Sequence, residues 1–361
     1  MLVILDNSLT ALTPTNQAEI SGLESVLAAS YNGEHFLTTD FKTVRSLLSL
    51  PLSLRGKAAL QRLRGNISRH GHLPYAESFV IRIVKEGEYV RVSARTWTLP
   101  ISIFKNKTFP QSVVLGENLL DARAYISAAS QARAKNRLTE SCRALPDAGG
   151  GSQTAIKLEN YLNHGNGLCF CITDGDYVAP VGSKSPVTAQ CVSLTNTGAW
   201  PSFATDFDGR SIENIIPLAQ IEDSYAPLPI PENFHTYKKI AETDPETIKY
   251  IDAKSGLKYC NLQKMKPTSP KHSFWSQKIV KHGLQARFDQ FSHSPPTCKD
   301  ENCTGCTLIP GIGANTLKRV VEYFEKNTSQ KLAQRVSLGS QWVGLGINIF
   351  HWTMADKPEL T

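Results

Sequence analysis

Acidic side chains at the ends of apolar runs are the residues of this sequence best suited to chemistry. Val113, Val114 and Leu115 lead into Gly116 and Glu117, and the uncharged run from Leu168 to Ile172 is followed by Asp174 and Asp176 with Gly175 between them. Two carboxylates spaced by two residues point the same way from an extended tip. Carboxylates gathered at one place repel and raise one another's pKa unless a cation neutralises them, and hard oxygen ligands suit Mg²⁺ or Mn²⁺. A divalent metal is therefore the expected occupant of Glu117, Asp174 and Asp176. A second group is of a different kind: Cys298, Cys303 and Cys306, in TCKDENCTGC, stand at C-x4-C-x2-C spacing in a polar, turn-rich stretch. Thiolates at such intervals in a loop are zinc ligands. Cys260, the nearest remaining cysteine, is the expected fourth ligand to a structural Zn²⁺, with His293 the second choice.

The acids need elements to hold them. Ser112 to Gly116 reads as a buried strand and a tight turn, and Ala122, Tyr125, Ile126 and Ala129 recur at helical spacing behind it. Leu168 to Ile172 has strand length. In an open α/β sheet, ligands bind in the crevice beyond the carboxyl ends of the strands, so acid-tipped strands are candidates for one shared site.

This arrangement resembles the Toprim domain, the metal-binding α/β module of topoisomerases, primases and the overcoming-lysogenization-defect family of nucleases. That family carries a Glu after its first strand and an Asp-x-Asp after a later one. Glu117, with Asp121 in the following helix, matches the first piece, and Asp174-Gly175-Asp176 matches the second. A third piece, DGRSIENIIPL from Asp208 to Leu218, is similar to the Arg-x-Ile-Glu-Asn segment of defence-associated Toprim nucleases. The resemblance runs from Gln111 to Pro217. It implies an α/β fold with a mostly parallel sheet flanked by helices, Mg²⁺ or Mn²⁺ held by Glu117, Asp121, Asp174 and Asp176, and catalysis by Glu117, Asp174, Asp176 and Glu213. Such a cluster implies a metal-dependent nuclease using the two-metal scheme for in-line displacement, and the third piece implies an effector of antiphage defence. Two features depart from the pattern. The interval between Glu117 and Asp174 is long and contains DAGGGSQ, which reads as a flexible loop, and Ile215, Ile216 and Pro217 follow the Ile-Glu-Asn.

Three domains are expected: an α/β accessory domain over 1–108, a Toprim-like catalytic domain over 109–225, and a helical carboxyl-terminal domain over 226–361 that carries the cysteines. The 361 residues, 41% of them hydrophobic, suffice for that many cores. No apolar run reaches membrane-span length and the start lacks the basic flank of a secretion signal, so a cytoplasmic protein without membrane attachment is expected. The eight cysteines suit a reducing compartment. A net charge of +7 favours a polyanionic partner, DNA or RNA. No G-x4-G-K-[ST] motif is present, so regulation by ATP would require a separate ATPase or sensor protein. Two other classes fit the same acids: a non-catalytic nucleic-acid-binding or assembly subunit with a degenerate Toprim fold, and a phosphatase or nucleotide-processing enzyme.

Outside the acidic core, Leu2–Leu5 and Phe36–Thr39 read as strands, and Ala18–Ala29 and Phe41–Leu50 as helices. Leu54 to His72 holds Arg55, Lys57, Arg62, Arg64 and Arg69 with no acid, either a phosphate track or a solvated helix face. Ser78–Val84 and Tyr89–Ser93 read as the two strands of a hairpin across KEGE. Lys184, in GSKS, is a phosphate contact or part of a solvated loop, and an Asp or Ser ahead of the Ile-Glu-Asn would cap a helix there. APLPIPE marks a domain boundary, and beyond it Lys271, His272, Lys278, Lys281 and His282 surround Phe274 and Trp275. Basic residues among aromatics hold single strands; the plainer reading is a helix with Phe274, Trp275 and Ile279 in a core.

Protein purified without chelator is expected to carry about one equivalent of zinc, and Cys303→Ser to destabilise the carboxyl-terminal third. Elemental analysis giving less than about a tenth of an equivalent would remove that site.

Overall fold

A computed structural model describes residues 1–70, 78–293, 305–335 and 338–358, without the side chains of 69, 70 and 335. It is α/β, 52% helical, with mixed sheets that include a parallel one. Among the described residues no helix is long and apolar enough to cross a membrane. The chain forms two compact units, one of residues 1–172, 190–205 and 343–361, the other of 173–189 and 206–342. These units cross the three expected spans, because the last residues return to the first unit and the acidic core divides after Ile172.

In the first unit the strand and helix rhythm begins as expected, with β1 (Leu2–Leu5), α1 (Gln17–Tyr31), β2 (Phe36–Thr38) and α2 (Phe41–Leu47). Asp6 and Asp40 are caps, accepting from Ser8 N at 2.9 Å and Thr43 N at 2.7 Å. Helix α3 (Leu54–His70) turns Ala59, Leu60 and Leu63 inward. Of its cations, Arg62 reaches Asp356 at 3.9 Å, and Arg55 bonds Asn32 and lies over the Tyr31 ring.

The expected hairpin is replaced by a different pairing. Strands β3 (Val80–Val84), β4 (Val90–Ser93) and β5 (Thr96–Pro100) follow one another, but β5 lies between the other two, parallel to β3 and antiparallel to β4. The sheet order is β2-β1-β3-β5-β4. The cause is burial: Trp97 and Leu99 of β5 are wholly buried, whereas β4 is a largely exposed strand suited only to an edge.

The second sheet carries the acids. Strand β6 (Ser112–Gly116) feeds α4 (Leu119–Lys135), and after the short β7 (Ser141–Cys142) come β8 (Leu145–Ala148), α5 (Thr154–His164), β9 (Leu168–Ile172), α6 (Pro186–Thr197) and β10 (Ser202–Thr205). Strands β10, β9, β6 and β8 pair in that order, all parallel. Such sheets are covered on both faces and read as continuous apolar runs, as β6 and β9 do. DAGGGSQ is not a loose loop. Its first residues complete β8, and Gly149 N bonds Gly116 O at 2.8 Å, with Gly150 N and Gly151 N on Glu117 O.

The second unit is helical: α7 (Leu218–Ser224), α8 (Glu232–Thr243), α9 (Pro245–Tyr250), β11 (Leu257–Lys258), α10 (Tyr259–Gln263), α11 (Pro270–Lys281), α12 (Gln285–His293), β12 (Thr307–Ile309), α13 (Thr316–Lys326) and α14 (Ser329–Arg335). Trp275 and Ile279 of α11 are core, as the plainer reading had it. The cations of α11 serve an internal network: Asp244 meets Lys278 and Lys281 at 3.0 Å and His282 at 3.4 Å. Burial alone would raise the Asp244 carboxyl, but Lys281, Lys278 and Thr247 hold it well below the usual range.

Helix α15 (Ser340–Thr353) and β13 (Met354–Ala355) bring the chain back to the first unit, where β13 pairs with β7. There Trp352 packs against Phe79, Trp97 and Phe170 with ring centroids 5.0–5.9 Å apart, and its Nε1 donates to Leu168 O at 3.0 Å. Edge-to-face aromatic contacts add to the large area such rings bury. Trp352→Ala is expected to cost about 3–5 kcal/mol of first-unit stability in denaturant unfolding, and Trp352→Phe clearly less.

Candidate functional site

Glu117 stands at the carboxyl end of β6, fixed from both sides. A Cβ at Gly116 would lie 2.8 Å from Ala122 N, so the turn from strand to helix passes only with glycine there. Asn118 then caps α4, its Oδ1 accepting from Leu120 N at 2.9 Å and Asp121 N at 3.1 Å, while Asp121 Oδ2 accepts from Asn118 N at 3.0 Å. This reciprocal capping box gives the buried Asp121, expected as a metal ligand, a structural duty in its own helix.

Strand β9 is the neighbour of β6, with Leu115 opposite Cys171. The Glu117 charge is felt there. Cys171 is pushed well above the usual thiol range, chiefly by its hydrogen bond to Cys191 and by burial, with the negative charge of Glu117 adding to both. Burial likewise raises Cys169. These cysteines are protonated packing residues at neutral pH.

In the second unit the Asp-Gly-Asp turn rests against the segment 207–210. A Cβ on Gly175 would lie 2.1 Å from Gly209 O and 2.5 Å from Phe207 O, so the close approach needs glycine. Asp176 has φ +54° and donates its N–H to Arg210 O at 3.0 Å. The Asp174 carbonyl accepts from Thr188 Oγ1 at 3.4 Å. Partial burial raises the Asp176 carboxyl above the usual range, opposed by the Arg210 guanidinium. Asp176 therefore favours folding while protonated, and that contribution is lost as pH rises through its folded pKa. A cation works in the opposite sense, because it binds only the ionised form.

The same segment continues into the Ile-Glu-Asn piece, which forms a 3₁₀ turn over Ile212–Asn214 in place of the expected helix. Ser211 caps it, sharing a capping box with Asn214, and Asn214 Nδ2 donates to Ile248 O at 2.7 Å and Ile251 O at 3.1 Å. Pro217 has no N–H to give, and α7 begins immediately after it. Glu213 is 2% exposed. Neither of its carboxylate oxygens makes a hydrogen bond among the described residues, and Lys254 Nζ lies 3.6 Å from Oε1. The other acids nearby are committed. Asp206 takes Lys184 Nζ at 2.8 Å and Tyr177 OH at 2.9 Å, and Asp208 takes Lys249 Nζ at 2.7 Å and Tyr250 OH at 3.0 Å. Lys184, read from sequence as a phosphate contact or a solvated residue, is thus an ion-pair partner.

The expected acids are distributed as Glu117 and Asp121 in the first unit and Asp174, Asp176 and Glu213 in the second. Within the second unit the Asp-x-Asp turn and the Ile-Glu-Asn piece are joined by backbone contact. Among the described residues no three His, Cys, Asp or Glu side chains form a ready metal-holding group. Of the expected zinc ligands, Cys260 and Cys306 have their sulfurs 3.4 Å apart, and Cys298 and Cys303 lie outside the described residues. His293 Nδ1 bonds Asp289 O in its own helix at 2.7 Å. Sequence reasoning missed Lys254, which pairs with Glu213; its position forty-one residues further on gives no local signal.

No family model matches the chain, and no curated protein or solved structure matches it significantly.

Gly175→Ala is expected to lower second-unit stability by about 1–3 kcal/mol, since backbone and not a flexible side chain must move to admit the methyl group. Glu213→Gln is expected to raise the melting temperature in metal-free buffer by removing a buried charge that no hydrogen bond supports. Thermal unfolding in EDTA checks both.

Proposed function

We propose that this chain is a metal-dependent nuclease of the Toprim-like kind, hydrolysing phosphodiester bonds with Mg²⁺ or Mn²⁺ and with Glu117, Asp174, Asp176 and Glu213 as its acids. The observation that carries this reading is the Glu213 carboxylate, buried without a hydrogen bond on the segment that also clamps the Asp174-Gly175-Asp176 turn. A buried carboxylate is normally hydrogen-bonded, paired closely or bound to metal. Lys254 at 3.6 Å, with nearly half of its side chain exposed, is a weak substitute. The donor set, all carboxylate oxygen, suits a hard divalent cation.

When bound, the metal would activate water and stabilise the leaving oxygen. The chain's own part is positioning: Gly175 and Arg210 O fix the direction of the two aspartates, and the Asn118–Asp121 box fixes the turn that bears Glu117. In this reading Glu117 serves as metal ligand or general base. Structural zinc on Cys260 and Cys306, with Cys298 and Cys303, belongs to the same proposal, supported by the approach of the first two sulfurs. A role as antiphage effector, with a separate ATPase or sensor partner, rests on the Arg-x-Ile-Glu-Asn resemblance alone. The non-catalytic alternative keeps the fold and loses the reaction.

Glu117→Ala, Asp174→Asn and Asp176→Asn are each expected to reduce cleavage of plasmid, single-stranded DNA or tRNA in Mg²⁺ or Mn²⁺ by about 100-fold or more, with folding unchanged by circular dichroism. Wild-type rates in all three would contradict the proposal. Absence of cleavage by the wild-type chain, with nucleic acid still bound, would favour the non-catalytic subunit.

A further inference from the structure

We propose that two cavities on either side of the 252–256 turn form one phosphate track for a nucleic-acid strand, with Arg210, Lys254, Lys264 and Arg287 as its contacts. The inference rests on the nuclease reading for the identity of the strand as substrate. It rests on geometry within the second unit for the path.

The turn is rigidly built. Asp252 Oδ1 accepts from Lys254 N at 2.9 Å and Ser255 N at 3.0 Å, and Gly256 N bonds Asp252 O at 2.7 Å. Gly256 has φ +81°, and a Cβ there would stand 2.1 Å from Ile309 O. Ile312 N, bonded to Ala253 O at 2.7 Å, ties the turn to the chain beyond β12. On one side lies a cavity of about 420 Å³ lined by Asn261, Lys264 and the pair Arg210–Asp252, 3.5 Å apart. On the other lies one of about 700 Å³ whose lining sets the exposed Arg287 and the half-exposed Lys254, which also faces Glu213 at 3.6 Å, against the single acid Glu232, with Lys258 buried in its wall. Ser255 lines both, so the two meet at the turn.

Charge distinguishes these cavities from the rest of the unit. The third large cavity, about 740 Å³, is lined by Glu213, Glu222 and Glu242 against Lys238 and Lys249, and much of its remaining wall is apolar. Without a bound cation, acids outnumber bases in that lining, whereas bases outnumber acids at the turn, which favours a polyanion there. The path also has a direction, because the Arg210 carbonyl holds the Asp176 N–H at 3.0 Å. The smaller cavity thus opens beside the acidic turn. Its aromatic wall, Trp275, is 1% exposed with Nε1 bonded to Val178 O at 2.7 Å, so it has no free face for stacking a base. Recognition through phosphates alone is independent of sequence.

The test measures oligonucleotide binding by fluorescence anisotropy in EDTA across a salt series, with single-stranded and duplex probes. Lys264→Glu/Arg287→Glu is expected to weaken binding of all sequences alike and to reduce the slope of log K against log salt by about 1.5, the loss of two phosphate contacts. Lys318→Glu/Lys326→Glu, an equal charge change on exposed residues of α13, is the control and is expected to change the slope far less. Equal slopes for the two variants would overturn the track while leaving the nuclease reading intact. Binding as predicted without any metal-dependent cleavage would support the track and overturn the nuclease reading. Adenosine monophosphate competing as strongly as the oligonucleotide would overturn the strand in favour of a mononucleotide site.

Discussion

A carboxylate taken out of water must recover what it loses, and around that constraint the second unit is arranged. An isolated buried charge costs several kcal/mol even after relaxation. Asp206 meets the cost with Lys184 at 2.8 Å and the Tyr177 hydroxyl at 2.9 Å, and Asp244 with Lys278 at 3.0 Å, while the exposed Asp208 takes Lys249 and Tyr250 at the surface. The tyrosines show the other side of this pairing: burial and the neighbouring carboxylates push Tyr177 and Tyr250 up to about 12. Glu213 does not follow the pattern. It is as buried as any acid in the unit, and its oxygens make no hydrogen bond among the described residues. In a segment otherwise dense with satisfied caps, that exception is the observation on which the proposed cation site rests.

The backbone fixes the turns that bear these acids. Gly116 and Gly175 are each placed where a single methyl group would collide with main-chain atoms, one at the turn that leaves β6 and one between the two aspartates. The ends of both acid-bearing turns are tied by main-chain hydrogen bonds, Glu117 O to the glycines after β8 and Asp176 N to Arg210 O. Such ties fix the backbone from which the proposed ligands project.

Much of this was legible in the sequence where a local rule decides it. Continuous apolar runs marked β6 and β9 as buried strands, and Gly116 announced a tight turn, whereas the extended tip expected at Asp174-Gly175-Asp176 is a turn in which Asp176 has φ +54°. Trp275 and Ile279 belonged to a core, as helical spacing indicated. Where distant residues decide, the sequence was silent. The pairing of β5 between β3 and β4 depends on burying Trp97, which outweighs the local appeal of a hairpin across KEGE. DAGGGSQ has the composition of a loose loop, yet its glycines spend their N–H groups on the end of β6. The Ile-Glu-Asn piece carries helical apolar spacing, but the Asn214 side chain and Pro217 limit it to one turn. Lys254, Lys258, Lys264 and Arg287 form no run in sequence; the turn at 252–256 and its contact with β12 bring them to two adjoining cavities.

The central claim is that the acids are held for a cation, and thermal unfolding with and without Mn²⁺ tests it most directly. At Mn²⁺ a hundredfold above its dissociation constant, a ligand of the folded state alone stabilises by about 2.7 kcal/mol. The account predicts a marked rise in melting temperature for the wild-type chain, smaller at acidic pH where Asp176 is protonated, and little or none for Asp174→Asn/Glu213→Gln. No rise in the wild type, or an equal rise in the double variant, would contradict it.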